Sequence, residues 1–151
     1  MNPQTYITGT AILATLGIVF GIIFGIIFYL LFSYSLYMMV KKRNMQNPWL
    51  AWIPIVNMYC VGKMTGDMKI FKLSLTNTEI ILPLAFALFI GLAYVPLVGA
   101  VLSAIGLLVL VIAFHKLYEE FDPENAFVLT IITAIIPVVA APIIMFINRN
   151  K

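Results

Sequence analysis

From residue 1 to residue 40 this chain contains no Asp, Glu, Lys, Arg or His, and its first charged side chain, Lys41, is followed at once by Lys42 and Arg43. A helix needs about 20 consecutive apolar residues to cross a hydrocarbon core, so an uncharged run of this length predicts a membrane helix with residues to spare. Composition agrees. Of the 151 residues, 63% are hydrophobic and only 10% charged, too few polar side chains to cover a water-soluble domain of this size. The run is too long, and lacks the basic flank, for a cleavable signal peptide, so it is expected to stay in the mature chain. One integral membrane domain over 1–151 is expected.

Four spans follow from the apolar runs and their breakers. The first covers about 6–40 and must tilt or project beyond the bilayer; Asn2-Pro3 suits its start, and Tyr6, Tyr34 and Tyr37 suit the two interfaces. Thr76-Asn77-Thr78-Glu79 matches a capping box and opens a second span over 77–94. The uncharged turn Val95-Pro96-Leu97-Val98-Gly99 leads into a third over 97–121. Asp122-Pro123-Glu124 offers an Asp cap, a proline at the first helical position and an acid at the positive dipole end, starting a fourth over 123–148 that Pro137 and Pro142 must kink. Residues 48–62 hold Trp49, Trp52 and Tyr59 in a stretch too short for a comfortable crossing. They read as an interfacial or re-entrant Trp-rich helix, and the lysine-bearing stretch 63–75 as a segment on the membrane surface. The fold class expected is an all-α membrane protein.

Charge sets the orientation. With four spans, Lys41, Lys42, Arg43, Lys63, Lys69, Lys72 and Lys116 lie on one side and only Arg149 and Lys151 on the other, which favours a cytoplasmic face carrying the first group and both termini outside. The basic residues then face anionic lipid rather than nucleic acid.

Three stretches share the pattern alanine, any residue, aliphatic, proline, aliphatic, valine: Ala51-Trp52-Ile53-Pro54-Ile55-Val56, Ala93-Tyr94-Val95-Pro96-Leu97-Val98 and Ala134-Ile135-Ile136-Pro137-Val138-Val139. A chain drawn from few residue types produces such matches by chance, and the flanking residues do not align, so no duplication is inferred. Gly17, Gly21 and Gly25 fall on one face of the first helix, where the missing side chains let another backbone approach. Packing inside the monomer, against a small face at Gly99, Ser103 and Gly106, is the simpler reading; a glycine zipper between copies is the other.

Chemistry is hard to find. Thr130 and Thr133 precede Pro137, where a freed carbonyl suits an ion site but is more often satisfied by a neighbour. His115, Glu119, Glu120, Asp122 and Glu124 read as a solvated helix end rather than a metal site. Cys60 and His115 are each the only residue of their kind and stand outside any nucleophile or phosphate-loop motif, and no ionisable group falls near the middle of a span. No cofactor, metal or catalytic residue is implied.

The stretch from Asn47 to Tyr59 resembles a family of uncharacterised small bacterial membrane proteins, some members of which are described as associated with signal peptidase I. The resemblance rests on Trp49 or Trp52, Ile53, Pro54, Asn57 and Tyr59, a Trp-x-Pro-x-x-Asn-x-Tyr motif. It implies a multi-pass protein of the bacterial cytoplasmic membrane and supplies no activity. The basic run at Lys41 and the acidic segment ending at Glu124 depart from the family's usual form. The function expected is a non-enzymatic accessory or scaffold in the bilayer that packs against itself or another membrane protein, with a homo-oligomeric channel or facilitator as the alternative.

Overall fold

Helix α1 (Pro3–Lys42) runs 40 residues without a break, about 60 Å at 1.5 Å per residue. Its last part joins a core, where Phe32, Leu36, Met39 and Val40 are buried. Every residue from 10 to 27 is exposed. The computed structural model describes residues 3–70, 73–91, 95 and 98–150. Over these it is an all-α bundle of six helices with one short 3-10 helix and one small β-hairpin. Two helices, α1 and α4 (Val98–Phe121), are long and apolar enough to cross a membrane.

The rest of the chain leaves the Arg43 end of α1 and comes back to it three times. The first excursion is the 3-10 helix Pro48–Trp52 followed by α2 (Asn57–Thr65). The Tyr29 hydroxyl donates to the Trp52 carbonyl at 2.6 Å, and Tyr29 lies fourteen residues before Arg43, about 20 Å along the helix. By Met64 the chain is back, since Arg43 Nη1 donates to the Met64 carbonyl at 3.3 Å. Next, β1 (Met68–Ile70) and β2 (Leu73–Leu75) pair antiparallel with Met68 opposite Leu75 and Ile70 opposite Leu73. They lead into α3 (Thr78–Gly91).

Helices α3 and α4 form the second excursion. The Thr78 hydroxyl is shared between the Gly62 and Gly66 carbonyls at 2.8 and 2.6 Å, fastening the start of α3 to α2. At the other end of the pair, Ser103 Oγ donates to the Phe89 carbonyl at 3.4 Å. Arg43 and Glu120 then form an ion pair at 2.6 Å, which places the end of α4 beside the end of α1. The third excursion is α5 (Ala126–Ile135) and α6 (Pro137–Asn148). The Tyr118 and Thr133 hydroxyls, 2.8 Å apart, and His115 Nδ1 with Thr130 Oγ1, also 2.8 Å apart, hold α5 against α4. Helix α6 runs along α1, with Tyr34 and Phe146 rings 6.4 Å apart, and Lys42 Nζ donates to the Asn150 carbonyl.

That last contact corrects the expected topology. Residues 123–148 were expected to be one kinked helix crossing to the opposite side and carrying Arg149 with it. Instead α5 starts at Ala126, the chain turns at Ile136 and α6 returns, so that Arg149 shares one small hollow with Met39, Lys42, Arg43, Glu120 and Phe121. The cause is local. Pro137 has no amide to donate and disfavours a helical residue before it, and Ile136 takes φ −130 and ψ 65, closing α5 and capping α6. Asn125, not Asp122, occupies the N-cap position of α5, without a side-chain hydrogen bond to the helix, and its side-chain amide donates to Asp122 Oδ1 at 3.1 Å.

Two further expectations change. The surface stretch 63–75 contains the β-hairpin, legible in the alternation of Met68, Lys69, Ile70 and of Leu73, Ser74, Leu75. The turn expected at 95–99 falls between Gly91 and Val98, with residues 92–94, 96 and 97 outside the described residues. Asn2, Lys72 and Lys151 are likewise outside them. The patterned segments around Pro54 and Pro137, set aside as chance, both sit where an excursion turns back. The segment around Pro96 joins α3 to α4, though only Val95 and Val98 of it are described.

The returning α5–α6 pair makes a direct prediction. Single cysteines at Gln46→Cys and Asn150→Cys, both exposed positions, react with an impermeant maleimide from the same side of the membrane. Native Cys60, 2% exposed, stays silent from both sides until the protein is unfolded. Labelling of the two sites from opposite sides would rule out the hairpin.

Candidate functional site

The turns of the first and third excursions meet the middle of α1 and the α3–α4 pair around a cavity of about 530 Å³. Helix α1 contributes Gly25, Phe28, Tyr29 and Phe32 to its wall, and α3 contributes Phe86, Phe89 and Ile90. From α4 come Leu107, Leu110, Val111 and Phe114. Phe32 and Phe114, from α1 and α4, bring their rings to 6.3 Å in an edge-on arrangement. The two turns supply prolines: Pro54 with Ile55 on one side, Pro137 with Val138 on the other, and Pro142 a turn further on. Proline explains the turns, because a ring without an amide cannot continue a helical ladder.

Ile55 adopts φ 69, a left-handed conformation unfavourable for a β-branched residue. It lets the chain reverse within the four residues between Trp52 and Asn57, so that α2 begins directly at the cavity wall. Three polar residues, Tyr29, Asn57 and Thr133, are among the lining residues. The Tyr29 hydroxyl is bound to Trp52 and the Thr133 hydroxyl to Tyr118. Asn57 is only 4% exposed, and its Oδ1 has no hydrogen-bond partner. The only other such buried side-chain oxygen among the described residues is Ser33 Oγ. Among the described residues, no Asp, Glu, Lys, Arg or His lines the cavity.

The glycines divide in two. At Gly17, Gly21 and Gly25 an added Cβ would meet nothing within 4 Å. At Gly106 it would lie 2.8 Å from the Ala85 carbonyl oxygen, and at Gly62 2.4 Å from that of Thr78. The small face of Ser103 and Gly106 therefore packs on α3 and not on α1, with Gly99 buried near the start of α4. Trp49 and Trp52 are 56% and 41% exposed, with the Trp52 ring 6.5 Å from that of Tyr37. Tyr59 lies beneath Lys63, whose ammonium is 5.5 Å from the ring centre. Pro137 and Pro142 lie on the cavity wall, while Trp49, Trp52 and Tyr59 do not. Sequence reading missed the cavity and Asn57's place in it. The available signal was the Asn of the Trp-x-Pro-x-x-Asn-x-Tyr motif, a polar side chain in an apolar stretch.

At the basic end, Lys116 Nζ donates to the Asp67 carbonyl and the Arg149 guanidinium lies 3.9 Å from the Phe146 ring centre. His115 Nε2 is 3.4 Å from Glu119 Oε1, and no group of three metal-ligating side chains occurs among the described residues. These charges serve helix ends. No family model, curated protein or solved structure matches the chain.

The two glycine classes separate on substitution. Gly62→Ala forces Cβ into backbone and is expected to destabilise the protein by about 1–3 kcal/mol. Gly21→Ala meets open space and replaces a poor helix former, so its stability is expected to match or exceed the parent by up to about 1 kcal/mol. Thermal melting in detergent distinguishes the two, and equal losses would contradict the packing described.

Proposed function

We propose that this chain is a protein of the bacterial cytoplasmic membrane without catalytic activity, an accessory that packs against partner helices through α1. In this reading α1 and the α3–α4 pair cross the bilayer, while the first and third excursions enter from the cytoplasmic side and return. Orientation is supported by charge. Lys41, Lys42, Arg43, Lys63, Lys69, Lys116 and Arg149 all belong to elements at the Arg43 end, as the excess of basic residues on cytoplasmic loops requires. The resemblance carried by Trp52, Pro54, Asn57 and Tyr59 supports the same membrane, and association with signal peptidase I is one form the accessory role would take.

The observation that carries the proposal is the bare glycine stripe. Lipid tails are as apolar as a leucine side chain, so helices in a bilayer associate through close packing rather than hydrophobic burial. The stripe of Gly17, Gly21 and Gly25 permits such an approach, and among the described residues nothing lies within 4 Å of where their side chains would start. The same stripe would serve a ring of copies around a pore. However, the exposed stretch of α1 offers mainly Ile, Leu, Val and Phe, and Thr15 spends its hydroxyl on the Ala11 carbonyl at 2.9 Å. A pore lined that way would expel water, which favours packing over conduction.

The test is the mass of the complex taken from native membranes into lipid nanodiscs. A second protein is expected to travel with this chain. Gly21→Leu is expected to release it while leaving the melting temperature of the isolated chain unchanged. A chain that is monomeric in its own lipid, or a complex indifferent to Gly21→Leu, would defeat the proposal. A homo-oligomer that conducts in bilayer recordings would hand the stripe to the channel reading.

A further inference from the structure

We propose that the hollow where α1, α4 and α6 end is a binding site for the phosphate of an anionic phospholipid, held by Lys42, Arg43 and Arg149. The hollow has a volume of about 80 Å³ and is lined by those three cations with Met39, Phe121 and a single carboxylate, that of Glu120. Sites for whole small molecules run to roughly 300–1,000 Å³. This one suits a single charged group whose remainder lies outside.

Charge selects that group. Among the described lining residues, three cations face one carboxylate. The C-terminal ends of α1, α4 and α6 offset part of the excess, each equivalent to about half a negative charge, and the hollow stays positive. The cations are also held in place. Arg43 is fixed between the Met64 carbonyl and Glu120, and Arg149 by the carbonyl and the ring of Phe146. Lys42 is fixed by the Asn150 carbonyl. A guanidinium carries five N–H donors and an ammonium three, so each cation has donors left beyond these contacts. Two guanidinium groups beside an ammonium match a phosphate, whose oxygens accept charge-assisted bonds from both kinds of donor. Donors ordered before the anion arrives lose little freedom in binding it. Access is direct, since the Arg43 and Glu120 side chains are 35% and 36% exposed and Lys42 is exposed.

The source is the bilayer. Here the site rests on the membrane reading above in one respect, that the Arg43 end lies at a headgroup layer. Ile143 and Ile147, less than two turns before Arg149 on α6, are exposed, and no charged residue precedes Lys41 on α1. A phospholipid seated in the hollow has apolar surface nearby for its chains. Those chains keep its phosphate at this level, an advantage in effective concentration that phosphate free in solution lacks. Basic pockets between membrane helices on the cytoplasmic side take anionic head groups in this way.

The experiment titrates the full chain in detergent micelles with phosphatidylglycerol, with phosphatidylcholine and with inorganic phosphate, and counts bound lipid by native mass spectrometry. One phosphatidylglycerol is expected to bind at least about tenfold more tightly than phosphatidylcholine, whose choline neutralises the same phosphate. Lys42→Gln and Arg149→Gln are each expected to weaken phosphatidylglycerol about tenfold, as suits the loss of one charge-assisted bond, and to leave phosphatidylcholine unchanged. Glu120→Gln removes the carboxylate that competes with the phosphate and is expected to tighten binding severalfold, the opposite of what losing a merely structural ion pair would do. Lys63 belongs to the same end but lies outside the hollow, over Tyr59, and Lys63→Gln is expected to change nothing. Equal binding of the two lipids, equal losses in Lys63→Gln and Arg149→Gln, or weaker binding in Glu120→Gln would overturn the proposal. Displacement of the lipid by millimolar inorganic phosphate would overturn its assignment to a lipid. A micelle has no inner and outer side, so these outcomes are independent of the orientation proposed above, which the maleimide labelling decides by itself, and of any partner at α1.

Discussion

Arg43 holds three parts of the chain at one place: it donates to the Met64 carbonyl, pairs with Glu120 and shares a hollow with Arg149. The ion pair alone does not hold the bundle together. Both side chains are more than a third exposed, and such pairs contribute at most about 1 kcal/mol. The greater stabilisation comes from the apolar side chains just beneath. Leu36, Val61, Leu82, Leu117, Tyr118 and Met145 are fully buried, and they come from α1, α2, α3, α4 and α6. Three excursions come back to this one level, through Arg43 with Met64, Arg43 with Glu120 and Lys42 with Asn150. The core forms directly below the point of return.

Packing therefore weakens with distance from Arg43. Near it, Gly62 and Thr78 bring α2 and α3 into backbone contact. Midway, the proline-bearing turns line a cavity among aromatic rings. Farther out, residues 10–27 of α1 are exposed throughout. A dense base, a hollow waist and a bare rod follow from one rule, that short helical hairpins anchored at one end cannot fill the space a 40-residue helix traverses.

Much of this was legible in the sequence and some was not. The boundaries expected for the first helix, 6–40, lie close to those of α1, and the helix expected over 97–121 matches α4 in its bounds. In the sequence Pro137 reads as a kink within one helix, whereas in the fold it separates α5 from α6. Arg149 and Lys151 carried the contrary signal, since basic residues on the outer side offend the charge rule that the other seven obey. The patterned prolines were likewise dismissed for want of flanking similarity, although a turn needs only its few local residues. The cavity had no sequence signature at all. Its wall is drawn from α1, the two proline turns and five further helices, with Gly25 and Pro142 far apart in the chain, and no periodicity links them.

The end of the bundle opposite Arg43 has a property that bears on how the chain reaches its place. Neither residues 3–40 nor residues 80–114 contain a charged side chain. In the orientation proposed, these are the segments that pass through the bilayer. Moving one elementary charge through a membrane potential involves about 2.3 kcal/mol per 100 mV, and here no side chain makes that passage. The potential can neither drive nor oppose insertion of these segments through their side chains. Assembly is then governed by the partitioning of apolar surface on one side and the retention of lysine and arginine on the other.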